Sequence, residues 1–139
     1  MAVLTTIRFV LHNKTPVFCK MLPTKREVVA TLVERFRHPL GLGHYDIRVD
    51  FVALKHRADC ECRPEYNEAI LRFDLSKIKR DQLPAFVLHE LLHCLVWKLA
   101  AVGERLSAGR EADLEAVRVE EESLVTLLER LLLPLVYHE

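Results

Sequence analysis

A chain of 139 residues, half of them hydrophobic and only four glycine and six proline, suits one compact domain with a single core and excludes a disordered or low-complexity protein. Its 20 basic and 20 acidic residues cancel without any long basic run, so a nucleic-acid-binding surface is not expected. The longest apolar window, 83–102, contains His89, Glu90, His93 and Lys98, which argues against a membrane span.

Residues 3–11 and 17–22 are rich in β-branched and aromatic side chains. The break between them, Asn13-Lys14-Thr15-Pro16, predicts a hairpin. Arg8 and Lys14 interrupt the apolar run and no small-residue cleavage pattern follows, so no secretory signal is expected and the protein reads as cytoplasmic. On that reading Cys19, Cys60, Cys62 and Cys94 are reduced thiols.

Thr24-Lys25-Arg26-Glu27 has the spacing of a capping box, and Val28, Val29, Leu32, Val33 and Phe36 follow at helical intervals. A helix over 24–37 is therefore predicted, stopped by Pro39, Gly41 and Gly43. Between 45 and 54 the period changes to two, with Ile47, Val49, Phe51 and Ala53 on one face, which marks a half-buried strand. A second alternating run, 69–75, ends shortly before the next helix. The segment 55–67 between the strands reads as a polar connection. It contains His56, Asp59, Cys60, Cys62 and Glu65, a composition compatible with a second metal site. The single residue between its cysteines is shorter than the usual spacing of structural zinc pairs, which favours an ordinary polar loop.

The stretch 86–97 carries most of the chemical information. It is apolar and helix-favouring except for His89-Glu90-Leu91-Leu92-His93. At about 3.6 residues per turn, His89 and His93 lie one above the other on one face, where two imidazole nitrogens can converge on a zinc ion. Glu90 points about 100° round the helix, off the metal but within reach of a metal-activated water, as a general base requires. The helix is expected to start near Pro84 and run to about Val102, where Gly103 breaks it. A short loop and a long helix to Leu133, closed by Pro134, follow.

Catalytic zinc takes three protein ligands and a water, so a third donor is needed. Eleven residues separate Leu91 from Val102, about 16 Å of helix rise, and eleven separate Arg110 from Glu121. An antiparallel return thus brings Glu121 level with the histidines. The apolar stripe of Leu114, Val117, Leu124, Leu128 and Leu131 has Glu121 in its middle, which favours that residue. Glu120, a quarter-turn away, is the alternative, and on this count Glu122 faces outward. Cys94, directly after His93, is expected to be a buried core thiol.

These motifs resemble the zincin metallopeptidases, and within them the gluzincin branch, where His-Glu-x-x-His is joined by a glutamate from a downstream helix. Here Glu121-Glu122-Ser123-Leu124-Val125 is similar to that downstream segment. The order of elements resembles small single-domain relatives, including the ImmA/IrrE type and short phage-type metallopeptidases. The resemblance implies an α+β fold over 1–139: a small mixed sheet with a backing helix, an exposed edge strand over 69–75, an active-site helix and a C-terminal helix packed against it. It further implies zinc on His89, His93 and Glu121, Glu90 as the base, and hydrolysis of a peptide or protein substrate laid along the 69–75 edge. Tyr66, Tyr137 and His138 are the candidate donors to the transition state. The alternative is a catalytically silent zinc-binding regulatory or protein-interaction domain, because little chain remains to build a lower lobe.

Overall fold

The computed structural model describes residues 22–106 and 110–137 and shows an α+β arrangement of a three-stranded mixed sheet and packed helices. The elements in order are α1 (Lys25–Arg37), β1 (Asp46–Phe51), β2 (Ala58–Arg63), β3 (Glu68–Phe73), a 3-10 turn (Arg80–Gln82), α2 (Leu83–Leu106) and α3 (Glu111–Val136). The hairpin expected over 3–11 and 17–22 lies, but for Leu22, outside the described residues.

Helix α1 begins as its capping box dictates. The Glu27 amide donates to Thr24 Oγ1 at 3.3 Å, and the Thr24 amide donates to Glu27 Oε2 at 2.6 Å. Val29, Leu32, Val33 and Phe36 are buried, and Gly41 reverses the chain at φ 72°, a left-handed conformation that glycine adopts without a Cβ penalty. The Lys25 ammonium donates to the Leu75 and Ile78 carbonyls, tying this helix to the connection that leads into α2.

The sheet order is β1-β3-β2, with β1 parallel and β2 antiparallel to β3. The 69–75 strand is therefore the central strand and not the expected edge. The missing neighbour is β2, inside the segment expected to be a loop. Its sequence, Ala-Asp-Cys-Glu-Cys-Arg, has no β-branched or large aromatic residue, so residue preference speaks against a strand. The alternation is nevertheless present: Ala58, Cys60 and Cys62 stand opposite Phe73, Leu71 and Ala69 on the core face. On the other face Arg72 donates to Asp59 at 3.0 Å and to Glu61 at 2.5 Å. The turn from β2 to β3 closes through Asn67 at φ 52°, a position asparagine tolerates.

The core lies between the sheet and the helices. Phe36, Leu71, Phe73, Leu83, Val87, Leu88, Leu91 and Leu92 are fully buried. Each such side chain contributes about 1.5–3 kcal/mol of transfer energy. An exposed ion pair such as Arg48–Asp50 contributes about 0–1, so apolar packing sets the positions of the helices. Among the described residues no single helix is long and apolar enough to cross a membrane.

Two helix ends depart from expectation. Gly103 does not end α2, which continues to Leu106. A Cβ at 103 would lie 3.0 Å from Val117 Cγ2, so the glycine marks close helix contact and not a stop. Pro134 sits inside the last turn of α3, where its missing N–H forfeits one bond, and the Tyr137 amide still donates to the Leu133 carbonyl at 2.9 Å.

Candidate metal centre

Helix α2 turns Leu83, Val87, Leu88, Leu91 and Leu92 into the core, and this rotation presents His89 and His93 to α3 with their ring centroids 5.1 Å apart. The two helices run antiparallel: His93 meets Glu121 and Glu122, and His89, one turn earlier, meets Glu122 and Glu129.

The contacts divide by ring nitrogen. His89 Nδ1 lies 2.9 Å from Glu129 Oε2, and His93 Nδ1 lies 3.0 Å from Glu121 Oε1. An Nδ1–H that donates to a carboxylate leaves the lone pair on Nε2. Both Nε2 atoms face one residue: His89 Nε2 is 3.4 Å from Glu122 Oε2, and His93 Nε2 is 3.2 Å from Glu122 Oε1. A lone pair facing a carboxylate is repulsive, so either a proton on each ring or one shared cation must lie between them. The donor set suits the cation. The ligand atoms of His89, His93 and Glu122 all lie within 4.8 Å of one another, and each Nε2 has its own Glu122 oxygen at 3.2–3.4 Å, a two-nitrogen, carboxylate set of the kind that zinc takes. Among the described residues this is the one such group of three or more.

Glu121, the expected third donor, is thus placed against His93 Nδ1, while Glu122, expected to face outward, meets both Nε2 atoms. The reason is the rotation of α3. Its one fully buried residue is Val125, so the inward face is centred on 125 and flanked by 121 and 122 one turn earlier and by 129 one turn later. The stripe through 114, 117, 121, 124 and 128 runs along one side of that face, which is why it singles out Glu121 and passes over Glu122. Glu120 is exposed. Glu129 went unnoticed; its signal is the seven-residue, two-turn interval from Glu122 on the same face.

Glu90 is 4 % exposed and borders an open cleft of about 920 Å³ together with His89 and His93. Burial, and then the negative charge of Glu122, Asp59 and Glu129, push its pKa up to about 8. A cation held by the histidines would act in the opposite sense. Facing α2 and α3 across the cleft are the connection into β2, with Lys55, His56 and Arg57, and the start of the strand itself, Ala58, Asp59 and Cys60. Neither Tyr66 nor Tyr137 lines it: Tyr66 is exposed on the β2–β3 turn, and the Tyr137 ring packs edge-on against Phe36 at 6.3 Å. His138 lies outside the described residues.

The residues of 55–67 do not gather round a second metal position. His56 turns to Asp59 at 3.4 Å, Glu65 is exposed on the turn, and Cys60 and Cys62 face α2. Cys94 is buried, as expected, and its sulfur lies 3.6 Å from that of Cys60. The Cys62 and Cys94 thiols are both raised, Cys62 first by its contact with Cys94 and Cys94 first by its contact with Cys60.

Nothing matches this chain among family models, curated proteins or solved structures.

Proposed function

We propose that the protein is a zinc-dependent peptidase of the zincin type, in which His89, His93 and Glu122 hold the metal and Glu90 is the general base. The observation that carries this reading is the division of the ring nitrogens, with both Nδ1 atoms on carboxylates and both Nε2 atoms on Glu122. When bound, zinc supplies a Lewis acid for a substrate carbonyl and lowers the pKa of water toward neutrality. Glu129 and Glu121 hold the imidazoles in the tautomer that offers Nε2. Glu90, buried on the cleft floor beside His89, accepts the proton of the attacking water and passes it to the leaving amine. An extended peptide pairs with the outer edge of β2, which has no strand beyond it among the described residues, borders the cleft and takes the role assigned above to 69–75.

The test is cleavage of an unstructured polypeptide by wild type and Glu90→Gln, each with zinc and with a chelator. Wild type cleaves only with zinc, and Glu90→Gln retains zinc while losing turnover about 100-fold or more. Cleavage that survives in Glu90→Gln would remove Glu90 as the base. One observation favours the silent zinc-binding alternative: Leu99 and Leu106 on α2 and, toward the other end of the antiparallel pair, Leu131 and Leu135 on α3 are all more than half exposed, apolar area that a protein partner could cover. Stoichiometric zinc with no cleavage of any polypeptide would select that reading.

A further inference from the structure

Next to the metal centre, and unused by the chemistry above, three thiols collect where β2 crosses α2. Cys60 and Cys62 project from the same face of the strand, and Cys94 rises from the helix directly after His93. The Cys60 and Cys94 sulfurs are 3.6 Å apart, so a bond of about 2.05 Å needs a closure of roughly 1.5 Å, which a small side-chain rotation supplies. The two differ in access. Cys60 is half-buried and borders the cleft, whereas Cys94 is 3 % exposed.

We propose that Cys60 and Cys94 are a reversible disulfide site, oxidised by small disulfides such as oxidised glutathione, which clamps the cleft-side strand to the metal-site helix. The order of events follows from access. The Cys60 thiolate attacks one sulfur of the oxidant, forming a mixed disulfide and expelling one glutathione thiolate, which takes up a proton. The Cys94 sulfur then attacks the Cys60 sulfur, breaking the mixed disulfide and expelling the second glutathione as a thiolate, which takes up the proton that Cys94 gives up. Two protein thiols are oxidised to one disulfide, and the oxidant is reduced to two thiols. Cys62 also contacts Cys94 but is buried and does not line the cleft, so the oxidant reaches Cys60 and Cys62 stays reduced.

The inference does not depend on peptidase activity, and its test does not use it. Full-length protein is incubated with oxidised glutathione under native conditions, its remaining thiols are alkylated, and its peptides are mapped without reduction. The expected product is a Cys60–Cys94 link in wild type and in Cys62→Ser, reversed by dithiothreitol and absent from Cys60→Ser, whose fold is checked by circular dichroism. Cys19 lies outside the described residues, and Cys19→Ser is expected to give the same link. A Cys60–Cys62 link, a glutathione adduct on Cys60 that never resolves, or a folded protein that loses no thiols would each overturn the proposal.

Discussion

Three acids on one helix address two histidines, and their roles differ by the nitrogen each one meets. In the proposed centre Glu122, which faces the Nε2 atoms, would be the metal donor, whereas Glu121 and Glu129, which meet the Nδ1 atoms, would act on the metal through the rings. Glu121→Gln and Glu129→Gln are therefore expected to weaken zinc binding about 10–100-fold without abolishing it, as measured by competition with a chromophoric chelator. Wild-type affinity in Glu129→Gln would contradict the role given to that carboxylate. Asp74 gives a test away from the metal. It is 6 % exposed and accepts from the Ser76 hydroxyl at 2.6 Å and the Leu54 amide at 3.1 Å, which lower it from 3.8 to about 2. A carboxyl lowered by folding stabilises the native state above its unfolded value and loses that contribution as pH falls through the folded one. Between pH 5 and pH 2 the urea midpoint of wild type should fall more steeply than that of Asp74→Asn, and parallel slopes would rule out this contribution. At this scale His89, Glu90 and His93 were legible because a five-residue motif places them relative to one another. The choice between Glu121 and Glu122 was not, because it depends on a rotation of α3 that only its contact with α2 sets.

Elements were legible where one face is strongly apolar. The capping box and the interval pattern define α1, and alternation defines β1 and β3. Strand β2 was hidden because its inward residues are alanine and two cysteines, and its outward charges look like a loop until Arg72 pairs with them from β3. Gly103 was misread for a related reason: a glycine that ends a helix and one that admits a neighbour look alike in one dimension. Since a Cβ there would lie 3.0 and 3.2 Å from the Val117 methyls, Gly103→Val should push α3 from α2. The expected cost is about 1–3 kcal/mol in urea unfolding, accompanied by weaker zinc binding as Glu122 withdraws. Destabilisation with unchanged zinc affinity would show that the helix crossing and the metal centre are independent.

In the molecule as a whole the sheet, α1 and α2 share one apolar core, while α3 joins it through α2 with only Val125 fully buried. The His–Glu contacts thus lie on the seam between the well-packed part of the protein and its least buried helix. A cation bound there links α2 to α3 directly, so metal should stabilise the docking of α3 more than the core. The most direct test is a calorimetric zinc titration of wild type beside His93→Ala and Glu122→Gln. The expected result is one equivalent bound by wild type, none by His93→Ala, and a loss in Glu122→Gln larger than that in Glu121→Gln. If wild type takes up no zinc, or if His93→Ala binds it equally well, the seam is an ion-pair network of protonated histidines and the metallopeptidase reading fails.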